Sequence, residues 1–84
     1  MYTILICDDE KDIVNALKIY LENDKYCFYE ASDGEEAVRI VKEEKIHLVL
    51  LDIMMPQMDG IEALVRIREF SNVSVILLTA KGED

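Results

Sequence analysis

The sequence predicts one α/β domain in which helices cover both faces of a parallel β-sheet. Two observations support this fold class. Short apolar runs alternate with segments whose apolar residues recur at helical spacing, which is the pattern of consecutive β-α-β units. The chain has 84 residues, enough for one small domain, and 51% of them are apolar, enough for a packed core.

The first elements follow this alternation. Tyr2–Cys7 is an apolar run that predicts a strand. The next segment predicts a helix, because Ile13, Leu17 and Leu21 fall on one helical face. Tyr26–Ala31 predicts a second strand, and its mixed polarity is typical of the edge of a sheet.

A turn that ends at Gly34 marks the start of the second helix. Two pairs are able to form a capping box there, either Ser32 with Glu35 or Asp33 with Glu36. Apolar residues at helical spacing then continue the helix.

The last two strands flank a third helix. His47–Leu51 is a nearly continuous apolar run that ends on Asp52, and Val73–Leu78 is another. The helix between them follows Asp59-Gly60, which predicts a turn at which glycine tolerates a positive φ. Continuous apolar runs are typical of strands buried on both faces, so we expect the strand order 2-1-3-4 with the second strand at an edge.

Composition and charge disfavour several classes of protein. Eighteen acidic residues against nine basic ones give a net charge of −9, so a nucleic-acid backbone or an anionic membrane would repel this segment. Cys7 and Cys27 lie in apolar runs, where buried thiols are expected, and they are too few for a disulfide framework or a zinc site. No signal-peptide pattern is present, and the apolar runs are too short to span a bilayer. We therefore expect a cytoplasmic protein with no membrane partner.

Polar side chains follow the predicted strands at one edge of the sheet. Asp8 and Asp9 come after the first strand, Asp52 after the third and Thr79 after the fourth. Carboxylates in one pocket repel each other unless a cation is present. Oxygen ligands favour Mg²⁺, with Mn²⁺ or Ca²⁺ as substitutes. A carboxylate beside such a metal is able to attack phosphorus and become an aspartyl phosphate.

Structural roles for the same residues stay open at this point. Asp8 and Asp9 are also able to cap the first helix and to interact with its dipole. Asp52 is able to serve only as the start of a loop, and Thr79 only as a β-branched strand residue. Their joint placement at the strand ends favours a binding site.

Three motifs together resemble the bacterial response-regulator receiver domain. They are Cys7-Asp8-Asp9-Glu10 after an apolar strand, the block from Leu50 to Gly60, and Leu77-Leu78-Thr79-Ala80. The likeness covers the whole chain in the right order and looks closest to receivers attached to winged-helix DNA-binding domains. It implies the flavodoxin-like form of the fold and a signalling phosphoacceptor of a two-component system, not an enzyme.

The resemblance also implies a role for each residue that matches the family motif. Asp52 matches the phosphoacceptor, and Asp9 matches the direct magnesium ligand. Asp8 matches the residue that holds a metal-bound water, and the backbone carbonyl of Met54 matches the third protein ligand.

A switch and a signalling route are implied in the same way. Thr79 matches the hydroxyl that turns toward the phosphoryl group, and Ala80 matches the small residue that leaves access to the site. A sensor histidine kinase would donate the phosphoryl group to Asp52. The full-length parent would then change transcription, with DNA contacted only through a further C-terminal domain.

Two other functions remain as alternatives. A metal-dependent phosphohydrolase with an aspartate nucleophile would use the same cation, although such enzymes usually place a D-x-D pair on the first strand. A flavin-type cofactor binder would need a Ser/Thr/Gly-rich loop after that strand, where Asp8 and Asp9 would repel a phosphate.

The family pattern continues past Asp84 with a helix, a strand and a helix, so we expect residues 1–84 to be a partial receiver domain. The lysine and the aromatic residue that the family carries on that later strand have no counterpart here. We then expect an open edge on the fourth strand and an uncovered sheet face that carries some of Ile4, Ile6, Leu48 and Leu50. Since exposed apolar residues lower stability, we expect a dimer or higher oligomer through Val73–Leu78 or through that face.

Overall fold

The computed structural model describes residues 1–78, which form a four-stranded parallel sheet and three helices. The strands are β1 (Tyr2–Cys7), β2 (Tyr26–Ala31), β3 (Leu48–Asp52) and β4 (Ser74–Leu78). The helices are α1 (Lys11–Tyr20), α2 (Gly34–Glu43) and α3 (Gly60–Arg68). The strand order β2-β1-β3-β4 confirms the predicted fold class and topology. Within residues 1–78, every helix is too short or too polar to cross a membrane.

Aspartates begin the two helices that follow β2 and β3. Asp33 caps α2 and Asp59 caps α3, and each carboxylate accepts the N–H of the residue three positions on, Glu36 and Glu62, at 2.9 Å. Glu36 in turn accepts the N–H of Ser32 at 2.9 Å. Of the two capping pairs that the sequence allowed, the structure therefore selects Asp33 with Glu36.

One apolar layer lies between the sheet and helices α2 and α3. Leu5 of β1 and Leu51 of β3 are fully buried there. They pack with Ala37 of α2 and with Ala63 and Ile67 of α3, which are also fully buried. The small residues on both helices let the helix backbones approach the sheet closely.

Helix α1 covers the opposite face of the sheet and corrects one prediction. Ile4, Ile6 and Leu50 are buried there together with Val14 of α1. The expectation that this face of β1 and β3 lies open is therefore wrong for these residues. Only Leu48, at the start of β3, remains partly exposed.

Strand β4 leaves apolar side chains in contact with solvent. Among residues 1–78 it pairs only with β3, from Ser74 beside Leu48 to Leu78 beside Asp52. Ile76 is 51% exposed, and its strand neighbours are only partly buried. In the described part of the chain β4 therefore has the open edge that the sequence predicted, and β2 lies at the other edge of the sheet as expected.

His47 joins β1 to the beginning of β3. Its backbone N–H donates to the carbonyl of Thr3 at 2.8 Å, and its Nδ1 accepts the N–H of Thr3 at 2.9 Å. The imidazole ring also stacks on Tyr2, with ring centroids 5.0 Å apart. These contacts help to fix the register between β1 and β3, which places the ends of the two strands side by side.

Candidate functional site

The parallel register brings the ends of β1 and β3 together. Cys7 lies beside Leu51 in the ladder between these strands, so the next residues, Asp8 and Asp52, emerge at the same edge. On its other side, Asp52 pairs with Leu78 of β4. In open parallel sheets this carboxyl edge is where ligands bind.

Three carboxylates converge at this edge. Oxygen atoms of Asp8, Asp9 and Asp52 all lie within 4.8 Å of one another. Asp8 is only 7% exposed and Asp52 only 2%, whereas Asp9 is exposed. The structure therefore confirms that these residues meet, and their roles as ligands stay a prediction.

The charges of the cluster are not balanced by basic side chains in the described part of the chain. None of the ion pairs among residues 1–78 includes Asp8, Asp9 or Asp52. Lys11, which follows the β1 loop, pairs instead with Glu30 at 3.6 Å. Buried carboxylates without an opposite charge nearby are costly, and a set of carboxylate oxygens is the donor set that hard divalent cations prefer. The residues present therefore fit a magnesium ion.

The surroundings of Asp52 make its ionisation harder than in water. Burial raises the pKa of the Asp52 carboxyl above its ordinary value, and the negative charge of Asp8 raises it further. The backbone N–H of Met54 donates to Oδ1 of Asp52 at 3.3 Å and partly opposes this shift. Asp9 and Glu10 add smaller contributions that raise the pKa. A cation between the carboxylates would reverse the electrostatic part of the shift.

Asp8 orients the loop after β1 and does not cap α1. Its Oδ1 accepts the backbone N–H of Glu10 at 2.9 Å, and its own N–H donates to the carbonyl of Ala31 at 3.1 Å. The N-cap position of α1 is Glu10, and no side chain caps that helix. The interpretation of Asp8 and Asp9 as helix caps is therefore wrong, because the N-cap position lies one residue after Asp9 and two residues after Asp8.

The loop of residues 53–59 leads from Asp52 to α3 and closes against the strand end. The N–H of Gly60 donates to the carbonyl of Ile53 at 2.9 Å. A Cβ on Gly60 would lie 2.2 Å from the carbonyl oxygen of Asp52, so the close approach requires glycine. No glycine among residues 1–78 has a positive φ, so Gly60 does not use the backbone freedom that glycine allows, while Gln57 has φ 67°.

The two cysteines have different environments. Cys7 is buried beneath the site, and its Sγ lies 3.3 Å from the carbonyl of Asp33 and 3.4 Å from Sδ of Met55. Burial, with added repulsion from Asp33 and Asp52, raises the pKa of the Cys7 thiol to about 12. The thiol therefore stays protonated at neutral pH and is a poor metal ligand. Cys27 is exposed on β2, contrary to the expectation that it is buried.

The remaining predicted residues are placed only in part. Met54 is exposed, and its N–H reaches Asp52, whereas the role of its carbonyl as a ligand stays a prediction. Thr79 and Ala80 lie outside the described residues. A residue that the sequence did not suggest for the site, Asp59, lines a cleft of about 410 Å³ together with Asp9 and Met54. The only sequence signal at this position is that Asp59 belongs to the Asp59-Gly60 turn.

Comparisons with known protein sequences agree with the geometry. The family model described as the response regulator receiver domain matches residues 4–84. The transcriptional regulatory protein SrrA of Staphylococcus aureus is 46% identical over 81 residues, which are 96% of this chain and 34% of that protein. The chain thus spans about a third of the length of the curated relatives that it matches.

Solved structures share the fold. The response regulator protein TrrA from Thermotoga maritima, in complex with Mg²⁺ and BeF, superposes with a TM-score of 0.89 at 39% identity, covering 96% of this chain and 71% of that one. A chain of the CheX–CheY–BeF₃–Mg²⁺ complex from Borrelia burgdorferi has a TM-score of 0.88 at 39% identity, covering 99% of this chain and 65% of that one. The four parallel strands and three helices described above are therefore those of the CheY-like fold.

Proposed function

This chain belongs to the response regulator receiver domain family, and we propose that it is the phosphoacceptor of a two-component signalling system, with Asp52 receiving the phosphoryl group. Receiver domains are signalling proteins, which distinguishes them from phosphohydrolases. The observation that carries the proposal is the convergence of Asp8, Asp9 and Asp52 within 4.8 Å at the carboxyl edge of the sheet.

Magnesium fits the donor set of the cluster. Asp9 and Asp52 would bind the ion directly, Asp8 would hold a bound water, and the carbonyl of Met54 would be the third protein ligand. When bound, Mg²⁺ supplies positive charge that neutralises the carboxylates and the phosphoryl oxygens. Mn²⁺ or Ca²⁺ would substitute because they prefer the same oxygen ligands. The Mg²⁺ named in the complexes of TrrA and CheY supports this assignment.

Asp52 supplies the nucleophile for transfer. Its Oδ1 is held by the N–H of Met54, whereas its Oδ2 accepts no hydrogen bond from residues 1–78 and is the oxygen free to attack. The donor is the phosphohistidine of a sensor histidine kinase. A bond forms between the carboxylate oxygen and phosphorus while the P–N bond breaks. The electron pair of that bond leaves with the imidazole nitrogen, which then takes a proton.

Thr79 and Ala80 extend the same proposal to the response. Thr79 directly follows Leu78, whose partner across the ladder is Asp52. Its hydroxyl would bind the phosphoryl group after transfer, and Ala80 would leave access for the donor. In a longer cytoplasmic protein this change would alter transcription through a DNA-binding domain, as the name of the relative SrrA suggests for that protein.

Labelling by a small acyl phosphate tests the acceptor. With Mg²⁺ present, the full-length parent should gain the mass of one phosphoryl group, in a form that base removes. Asp52→Asn should gain none, whereas Asp24→Asn, a matched change in the exposed loop before β2, should be labelled like the wild type. Label that persists on Asp52→Asn would overturn the assignment. Continuous turnover of a chromogenic phosphate ester would favour the phosphohydrolase alternative instead.

A further inference from the structure

The start of α2 contacts both the end of β1, just before Asp8, and the loop that follows Asp52. The carbonyl of Asp33 accepts the Sγ–H of Cys7, the residue before Asp8, at 3.3 Å. The next residue, Gly34, donates its N–H to the carbonyl of Met58 at 3.2 Å, and Met58 lies in the loop after Asp52. One short segment therefore connects the end of β1 to the loop that follows β3.

The contact between Gly34 and Met58 has no room for a side chain. A Cβ on Gly34 would lie 2.4 Å from the carbonyl oxygen of Met58 and 2.9 Å from its Cβ and Cγ. Met58 is only 7% exposed and belongs to the core beneath α2 and α3, so it cannot turn away into solvent. Gly34 does not have a positive φ, and it is therefore the space and not the backbone conformation that requires glycine.

Met58 anchors the loop segment that carries Met54. The residue before it, Gln57, has φ 67°, a conformation that is costly for a non-glycine residue and persists where neighbouring contacts hold it. Pro56 has its own φ fixed by its ring. A displacement at Met58 would therefore be passed along a stiff segment to Met54, whose N–H holds Asp52.

We propose that Gly34 is a positioning residue for the cation site. Because it admits the carbonyl of Met58 against the start of α2, it sets the distance between the carboxylates after β1 and the loop that bears Met54. This role rests on the proposed function, since it concerns the affinity of that same site for Mg²⁺. A side chain at position 34 would move the loop without removing any of the three carboxylates, which belong to Asp8, Asp9 and Asp52.

Magnesium titration of the 84-residue chain tests this role. The amide signals of Asp9 and Met54 would be followed by NMR in the wild type, in Gly34→Ala and in Ile40→Val. Ile40 is a buried residue of the same helix and core, so its variant controls for a general loss of packing. We expect Gly34→Ala to raise the Kd for Mg²⁺ about tenfold, as changes behind metal ligands commonly do, and to shift the Met54 amide before metal is added.

The outcomes separate this role from the proposed function. An unchanged Kd in Gly34→Ala, or equal weakening in Gly34→Ala and Ile40→Val, overturns the positioning role. Met58→Ala removes the anchor on the other side of the contact, carries the same expectation, and replaces Gly34→Ala if that variant does not fold. If the wild type gives no response to Mg²⁺, the proposed cation site fails. The test then rests on the chemical shift of the Met54 amide in the metal-free variants. An unchanged shift overturns the role of Gly34.

Discussion

The α-carbon of Gly60 rests against the main-chain carbonyl of Asp52. A Cβ added to Gly60 would lie 2.2 Å from the carbonyl oxygen of Asp52 and 2.9 Å from the carbonyl carbon and from the α-carbon of Ile53. The N–H of Gly60 also donates to the carbonyl of Ile53 at 2.9 Å. The first turn of α3 and the backbone of the proposed acceptor thus form one packed unit, which any side chain at position 60 would separate.

Replacing Gly60 should therefore destabilise the fold. We expect Gly60→Ala to lower the free energy of unfolding by about 1–3 kcal/mol, the usual cost of overpacking, although alanine favours helices more than glycine does. Urea denaturation measures the difference. Val65→Ala, an exposed change on the same helix, should stay within about 0.5 kcal/mol of the wild type. Equal stability of Gly60→Ala and the wild type would contradict the close contact.

The cation should depend on Asp9 more than on its neighbour Glu10. An oxygen of Asp9 lies within 4.8 Å of those of Asp8 and Asp52, and Glu10 is not part of that cluster. In magnesium titrations we expect Asp9→Ala to raise the Kd by more than about tenfold and Glu10→Ala to change it far less. Both variants remove one negative charge, so equal effects would show that only the total charge matters.

The raised pKa of Asp52 predicts a pH-dependent stability in the absence of metal. A carboxyl whose pKa is higher in the folded than in the unfolded state binds more protons when folded, so stability falls as the pH rises through the window between the two pKa values. Above that window, at neutral pH with a chelator, Asp52→Asn should melt at a higher temperature than the wild type.

The gain from Asp52→Asn should disappear under two conditions. Acid well below the ordinary carboxyl pKa of about 4 protonates Asp52 in both states, so the variant and the wild type should approach each other. Magnesium should also stabilise the wild type more than the variant, because it balances the charge that burial and Asp8 make costly. A melting-temperature difference that is constant with pH and with magnesium would contradict the cause assigned to the pKa shift.

Strand β4 should mediate self-association of the chain. Ile76 is 51% exposed, and each apolar side chain left in water forgoes roughly 1.5–3 kcal/mol of burial. Sedimentation at micromolar concentration should therefore show dimers or larger species. Ile76→Lys should weaken association, whereas Tyr20→Lys, which adds the same charge on the exposed side of α1, should not. A folded monomer would show the expectation to be wrong.

Local patterns were sufficient to locate most elements and the site. Strand ends are set by where apolar runs stop, so the positions of Asp8 and Asp9 after β1 and of Asp52 at the end of β3 followed from the sequence alone. Since the ends of neighbouring parallel strands share an edge, their convergence followed from the predicted order. The local capping signal narrowed the start of α2 to two pairs, and the structure selected Asp33 with Glu36.

Close approach between distant segments could not be predicted in this way. A glycine followed by helical spacing looks the same whether it serves a turn or a contact, and only the packed structure placed Gly60 on Asp52 and Gly34 on Met58. Which helix covers which face of the sheet was also determined only by the tertiary structure. The apolar face of α1 is visible in the sequence, but the sequence does not say which strands that face covers.

The sequence by itself determined the order of elements, the edge of the sheet at which ligand binding is expected and the carboxylates that lie there, because each depends on periodicity and on where strands end. The tertiary structure alone decided that α1 buries Ile4 and Ile6, that Ile76 stays exposed, and that Asp52 is almost fully buried. These properties depend on the distances between segments far apart in the chain, and such distances are set by the packing of the whole core.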